Sequence, residues 1–242
     1  MAFDITLILP AYNEAGCIAR TIAEAVAYFR GRNLAYEIIV AADGTDGTRE
    51  IVGDLGRSDT AIRVIGWPER RGKGRGLREA AGLASGKIIG FADADNKVPI
   101  DEYDKVAKAF ADDVSMVIGT RASARSAIER SQPLYRRLGS KGFSVFMRAV
   151  TGLRGISDTQ CGFKFMRHDV AKKLFALQRI DGYMYDVEIL LLAQYLGYRV
   201  EEVPIRWRDD HDSRLDLVRG NLRNVRDILG VRRQVRAAVR AK

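Results

Sequence analysis

The sequence predicts an α/β fold, a mostly parallel sheet flanked by helices, with amphipathic helices added at its margin. Three observations predict it. Short apolar runs alternate with amphipathic helical stretches from the N-terminus onward. Each apolar run ends in polar, turn-forming residues. The polar residues of those turns, Asn13 and Glu14, Asp43 and Asp46, Asp93 and Asp95, fall at the carboxyl ends of strands, where open parallel sheets bind ligands.

The first strand covers residues 4–10, an apolar run stopped by Pro10. Residues 15–30 follow as a helix with Ile18, Ile22, Ala25, Val26 and Phe29 on one stripe. Residues 37–42 form the second strand. It ends in Asp43-Gly44-Thr45-Asp46-Gly47-Thr48, where Thr48 or Asp46 can cap a helix running to about residue 56. The third strand is 62–65. Gly72-Lys73-Gly74-Arg75-Gly76 then opens a helix to about residue 85. That stretch is not a Walker phosphate loop, because no Ser or Thr follows the lysine, and it is not a dinucleotide fingerprint. Its glycines either form a flexible turn or line a substrate.

Residues 88–91 read as a buried strand that delivers Ala92-Asp93-Ala94-Asp95-Asn96. A helix over 101–111 turns Val106, Ala109 and Phe110 inward, and strand 116–119 delivers Arg121. Over 134–150, Leu134, Leu138, Phe143, Phe146, Met147 and Val150 recur at helical spacing among Arg136, Arg137, Lys141 and Arg148, with Gly139 and Gly142 breaking the helix. Such a segment suits a membrane interface or an ordinary helix packed on its own core. The polar stretch 157–162 feeds strand 163–166, a helix covers 169–177, and Tyr185-Asp186-Val187-Glu188 opens another to residue 196. Strand 199–203 follows, and 204–207 continues to the sheet's edge. In the tail, Leu215, Val218, Leu222, Val225 and Leu229 form a stripe among arginines, extended by Val231, Val235 and Val239. The chain therefore divides into an α/β domain, 1–213, with a basic amphipathic insertion at about 125–154, and a basic amphipathic tail, 214–242.

With 47% hydrophobic and 29% charged residues, the 242-residue chain can bury a core and is not disordered. Cys17 and Cys161 stand alone, which argues against a disulfide framework or structural zinc and for reduced thiols. No basic-then-apolar leader opens the chain, and no charge-free apolar run nears the ~18 residues of a membrane span, so neither a signal peptide nor a spanning helix is expected. The net charge of +9 is unevenly placed: residues 121–154 and 214–242 each carry +7, leaving the rest at −5. An acidic body with two basic segments suits an anionic partner. The tail lacks interleaved base-stacking aromatics, so that partner is expected to be a membrane surface rather than nucleic acid.

The pair Asp93 and Asp95 is the strongest chemical signal. Residues i and i+2 of a strand share a face. Both carboxylates can converge on one hard divalent cation, Mg²⁺ or Mn²⁺, with water and phosphate oxygens completing its shell. The small neighbours Ala92 and Ala94 admit a bulky ligand. The alternative is a pair of solvated loop acids.

Taken together, these residues resemble family 2 glycosyltransferases of the GT-A (Rossmann-like) fold, and within them the polyprenyl-phosphate glycosyltransferases. The resemblance covers about residues 5–214. Pro10-Ala11-Tyr12-Asn13-Glu14 looks like the family's nucleotide-binding opening, Asp93-Ala94-Asp95 like its metal motif, and Gly119-Thr120-Arg121 like the arginine near the phosphates. Asp158-Thr159-Gln160-Cys161-Gly162-Phe163-Lys164 is the most specific match. With Asp186-Val187-Glu188, and with Val203-Pro204-Ile205-Arg206-Trp207 followed by Ser213, it is nearest the glucosyl-transferring dolichyl-phosphate branch.

The resemblance implies a nucleotide-sugar donor, a UDP- or GDP-hexose, on Pro10, Ala11, Tyr12, Glu14, Asp43, Asp46, Lys73, Asp93 and Ala94. It places the metal on Asp93 and Asp95, and catalysis on Asp95, Arg121, Asp158 and Lys164. A polyprenyl phosphate acceptor, dolichyl or undecaprenyl, would meet Arg121, Gln160, Lys164, Asp186, Glu188, Ser213 and Arg214. Three departures stand out. Ala42 precedes Asp43 where the family usually has two acids. Lys97 stands near a third metal ligand of the mannose-transferring branch. Ser213-Arg214 replaces Ser-Lys, and arginine adds bidentate phosphate contact.

A lipid monophosphate, with a second pKa near about 6, is already ionised and needs no general base. An alcohol acceptor would need one, and Asp158 is the candidate. His168 is read as structural. The expected enzyme is an inverting hexosyltransferase, with glucose favoured and mannose next, peripheral on the cytoplasmic face of a membrane and compatible with a homo-oligomer. A soluble acceptor on the same fold and a non-catalytic basic nucleic-acid-binding protein are the alternatives.

Overall fold

The structure is a computed structural model and describes residues 3–122, 147–208 and 219–240. Strands β1 (Phe3–Tyr12), β2 (Tyr36–Asp43), β3 (Ile62–Ile65), β4 (Gly86–Ala92), β5 (Val114–Thr120), β6 (Phe163–Arg167) and β7 (Arg199–Pro204) form one sheet in the order β3-β2-β1-β4-β6-β5-β7. Every pairing is parallel except those of β6, which runs antiparallel to β4 and β5. Helices α1 (Ile18–Gly31), α2 (Thr48–Ser58) and α4 (Tyr103–Ala109) cover one face. Helices α3 (Lys73–Leu83), α5 (His168–Leu177), α6 (Tyr185–Tyr195) and α7 (Arg219–Arg240) cover the other.

Apolar spacing explains most of this. Ile18, Ile22, Ala25 and Phe29 of α1 are fully buried, as the stripe requires. Strand β1 departs from its expected end, because it runs through Pro10 to Tyr12. The reason lies in the pairing: β4 accompanies β1 only as far as Ile8, so Pro10 has a neighbour on the β2 side alone. A proline is tolerated where one side of the strand needs no ladder bond.

The glycines opening α3 do not form a flexible turn. Gly74 and Arg75 donate their N–H groups to the Asp181 carbonyl, at 2.9 and 3.3 Å. A Cβ on Gly74 would stand 2.3 Å from the Ile180 carbonyl oxygen, and one on Gly72, at φ +113°, 2.3 Å from that of Asp181. Close backbone approach to the loop before α6 demands glycine here.

Helix α6 is buried all round, from Tyr185 to Ala193. Ile228, Val231 and Val235 of α7 are buried and belong to the core cluster with α5 and α6. Of the stripe expected along the tail, Val231 and Val235 thus dock the helix, Leu229 stays 61% exposed, and Leu215 and Val218 lie outside the described residues. Of the basic insertion, residues 123–146 lie outside the described residues, as do Ser213 and Arg214. Residues 147–151 are helical, with Met147 buried. Among the described residues no helix is long and apolar enough to cross a membrane.

Candidate active site

The first rim of the site is built by three loops at strand carboxyl ends. The turn after β1 is lashed to the turn after β2. The Thr48 hydroxyl accepts the Glu14 N–H at 3.0 Å, and Asp46 Oδ2 accepts that of Ala15 at 2.9 Å. Asp46 Oδ1 accepts both the N–H and the hydroxyl of Thr48, at 3.1 and 2.6 Å. Burial works against the Asp46 charge, yet these bonds hold its carboxyl below the usual range. Asp43, paired with Tyr12 across the sheet, accepts the N–H groups of Trp67, Arg71 and Gly72, at 3.3, 2.7 and 3.3 Å. It thereby folds the loop before α3 over the rim. There the Arg70 guanidinium lies 4.3 Å from the centre of the half-exposed Tyr12 ring, and its Nη2 donates to the Tyr183 hydroxyl at 2.8 Å.

The turn after β4 stands at the middle of the sheet. Thr21 of α1 holds it from behind by donating to the Ala94 carbonyl at 2.8 Å. Asp93 pairs with Lys73, and Asp95 with Lys97 at 3.3 Å. Burial, reinforced by the charge of Asp93, pushes the Asp95 carboxyl up. Burial also opposes the Lys73 charge, but Asp93 and Asp186 more than offset this and hold that ammonium above its usual range. Gly162 lies against Asp93: a Cβ there would stand 2.2 Å from its Oδ2. Among the described residues no group of three or more His, Cys, Asp or Glu can hold a metal ion. The donor set still fits a hard divalent cation. The Asp95 carboxylate is desolvated beside the like charge of Asp93, which a cation would relieve, and phosphate and water would complete its shell. Lys97 stands near the expected third ligand as a cation paired with Asp95.

The second rim comes from β5, β6, β7 and α6. Arg121, just past β5, grips Asp158 in a fork, Nε to Oδ2 at 2.8 Å and Nη2 to Oδ1 at 3.0 Å, and its backbone N–H adds a third bond at 3.0 Å. Burial favours the neutral acid, but Arg121 holds the Asp158 carboxyl below its usual range. Trp207 stacks over the guanidinium, 5.4 Å from carbon to ring centre. Glu202 of β7 sets the position of Asp158 by accepting its N–H at 3.1 Å, along with the N–H and hydroxyl of Ser157 at 2.9 Å. Lys164 is fully buried and donates to Asp186 at 2.5 Å and to the carbonyls of Cys161 and Thr159 at 2.5 and 3.1 Å. Glu188 accepts the N–H groups of Arg179 and Ile180.

The model of "Glycosyl transferase family 2" matches residues 6–175. The chain belongs to glycosyl transferase family 2. Its relatives include a dolichyl-phosphate beta-glucosyltransferase of Trichomonas vaginalis, 32% identical over 223 residues, which are 88% of this chain and 66% of the relative. A dolichyl-phosphate beta-glucosyltransferase of Drosophila melanogaster is 32% identical over 228 residues, 88% of this chain and 70% of that protein. The chain thus spans about two thirds of the length of these relatives. Among solved structures, glucosyl-3-phosphoglycerate synthase from Mycobacterium tuberculosis, in complex with Mn²⁺, UDP and phosphoglyceric acid, superposes with a TM-score of 0.70 at 22% identity. That match covers 95% of this chain and 78% of that one. Mannosyl-3-phosphoglycerate synthase from Rubrobacter xylanophilus gives 0.68 at 18% identity, over 98% and 75%. These two share the fold.

In this glycosyltransferase the residues expected at the donor and the metal stand on one rim: Tyr12, Glu14, Asp43, Asp46, Lys73, Asp93, Ala94 and Asp95, with Pro10 and Ala11 in β1 beneath them. Several expected roles need correction. Asp43 and Asp46 each spend both oxygens on the loops. Asp158 is an ion-paired carboxylate that orients Arg121, which makes it a poor base. Lys164 does not reach solvent, because its ammonium is used under the 159–161 loop and on Asp186. Glu188 caps a backbone turn instead of facing an acceptor. Gln160 keeps a different potential, since its Nε2 is buried with no hydrogen-bond partner. His168 is structural as expected, with Nδ1 at 2.9 Å from the Gly86 carbonyl. Nothing in the sequence singles out Glu202, one acid among several on an ordinary strand, and Trp207 stands within a motif that by itself assigns it no role.

Proposed function

We propose that this family 2 enzyme transfers glucose from a nucleoside diphosphate glucose, UDP-glucose in the first place, to a polyprenyl phosphate, and that it uses Mg²⁺ or Mn²⁺ at Asp93 and Asp95. The names of its relatives support glucose and a dolichyl phosphate acceptor. The UDP and Mn²⁺ complex of its structural neighbour supports the donor and the cation. It would act as a peripheral protein on the cytoplasmic face of a membrane.

The observation that carries the choice of acceptor is the Arg121–Asp158 fork. An alcohol nucleophile must lose a proton to a nearby base. Asp158 is held ionised with a lowered proton affinity, and Asp186 is buried on Lys164. Asp93 and Asp95 belong to the cation. A phosphate monoester dianion needs no base. One of its oxygens forms the bond to the anomeric carbon while the bond from that carbon to the diphosphate oxygen breaks. This single displacement inverts the centre and releases the nucleoside diphosphate. A bound divalent cation supplies positive charge against the diphosphate as it leaves. Lys73 keeps Asp93 in place and adds a permanent positive charge. Arg121 uses one edge on Asp158, and the N–H donors of its other edge remain for phosphate.

The test is transfer from labelled UDP-glucose to a short-chain polyprenyl phosphate, with the matching polyprenol and 3-phosphoglycerate as control acceptors. Transfer to the lipid phosphate alone, abolished by chelation and restored by Mn²⁺ or Mg²⁺, is the expected result. Equal transfer to polyprenol or to 3-phosphoglycerate would overturn the acceptor assignment.

A further inference from the structure

Helix α7 and the helical turn 147–151 enclose a cleft of about 400 Å³ lined by Val150, Leu229, Arg232, Arg233, Arg236 and Arg240. The reaction described above does not use it. Many arginines elsewhere are matched to acids, as Arg30 is with Asp59, Arg63 with Glu37, Arg78 with Asp181, Arg121 with Asp158, and Arg206 with Asp101 and Glu102, while Arg49, Arg148 and Arg167 donate to backbone carbonyls. Among the described residues, none of the four cleft arginines forms an ion pair with a carboxylate. All four are exposed. Arg236 donates to the Tyr195 hydroxyl at 2.8 Å. Hydrogen bonds from Arg232 and Arg236 hold that phenol below its usual range.

Four like charges within three helical turns repel one another, and no carboxylate among the described residues pairs with them. It does hold them rigidly, because Ile228, Val231 and Val235 on the opposite face are buried in the core. The cleft also carries apolar side chains among the cations: Leu229 is 61% exposed, and Val150 is half-buried. Guanidiniums beside an exposed aliphatic side chain match a phosphate headgroup at the acyl boundary. The cleft lining contains no aromatic ring on which a nucleobase would stack.

We infer that this cleft binds the phosphate headgroups of anionic phospholipids and is the surface by which the protein docks on a membrane. It is an electrostatic dock with one aliphatic contact, since the broad apolar face of α7 is spent on the core. The inference extends the lipid-acceptor reading, and the two fail separately. The dock is read by vesicle binding, and the reaction by transfer to a short-chain acceptor in detergent.

The test is co-sedimentation of the full chain with phosphatidylcholine vesicles, with and without phosphatidylglycerol. Binding is expected only to the anionic vesicles and should weaken with salt. Changing Arg232, Arg233, Arg236 and Arg240 together to Gln should lower that affinity at least a hundredfold, from about fivefold per arginine. Transfer to the short-chain acceptor in detergent should persist, which also establishes that the variant folds. The fourfold Arg→Lys variant should keep most of the binding, and Leu229→Ala should lose a few-fold. Equal binding to neutral vesicles, wild-type binding by the Gln variant, or tighter binding to a DNA duplex than to anionic vesicles would each overturn the inference.

Discussion

The two rims of the site are built on different principles. On the rim proposed for the donor, served by β1, β2 and β4, polar side chains hold backbone. Asp46 and Thr48 tie the loop at Glu14 and Ala15, and Asp43 ties the loop at Trp67, Arg71 and Gly72. On the acceptor rim, served by β5, β6 and β7, charges mostly hold charges, as Arg121 does with Asp158 and Lys164 with Asp186. Lys73 with Asp93 is the seam between them. A loop held by side-chain-to-backbone bonds keeps its shape whether or not a ligand is charged. Buried ion pairs respond to every charge that arrives or leaves, because removing one partner strands the other in low dielectric. The donor rim is thus suited to recognising a shape, and the acceptor rim to handling phosphate charge.

That contrast can be broken by substitution. The largest effect is expected on the acceptor rim. Lys164→Met strands Asp186 in the core and should cost about 3–5 kcal/mol in urea unfolding. The double variant Lys164→Met, Asp186→Leu should recover most of that loss. If the single variant is as stable as the parent, the pair is not the buried prop described above. Asp158→Asn comes next. It keeps the shape but releases the Arg121 fork, and should lower kcat about a hundredfold with little change in donor KM. A rise in KM alone would place Asp158 on the donor side. Gly162→Ala pushes a methyl group against Asp93 and should weaken Mn²⁺-dependent UDP binding, read by calorimetry, more than it lowers the melting temperature. The smallest effect belongs to the donor rim: Asp46→Ala should cost about 1 kcal/mol of stability, with a modest rise in donor KM.

Acidification should separate the rims as well. The Asp95 carboxyl is raised, so protons compete with the cation from a higher pH than for an ordinary aspartate. Metal-dependent UDP binding, followed by calorimetry, should therefore fade first as the pH is lowered. Asp158 is depressed. The stability it contributes is present above the ordinary carboxylate pKa of about 4 and is lost only as pH falls through its lower folded value. Thermal melts should hold while UDP binding is already failing. Coincident loss of the two would mean that one group governs both.

The donor rim was legible in the sequence because its causes are local. Apolar runs of the right length end in turn residues, and a parallel sheet then brings Tyr12, Asp43, Asp93 and Asp95 to one edge whatever the details of packing. The sequence also places Arg121 at a strand end, as a cation. What only the tertiary structure decided is which charges meet. Lys164 reads as a solvated or phosphate-binding lysine, until the antiparallel insertion of β6 between β4 and β5 buries it over Asp186. The valines of the tail read as an apolar stripe among arginines, until α7 sets Val231 and Val235 in the core and leaves its arginines outward. Periodicity tells which face of an element is apolar. The partner of that face, and the partner of a charge, depend on chain crossings that no local pattern encodes.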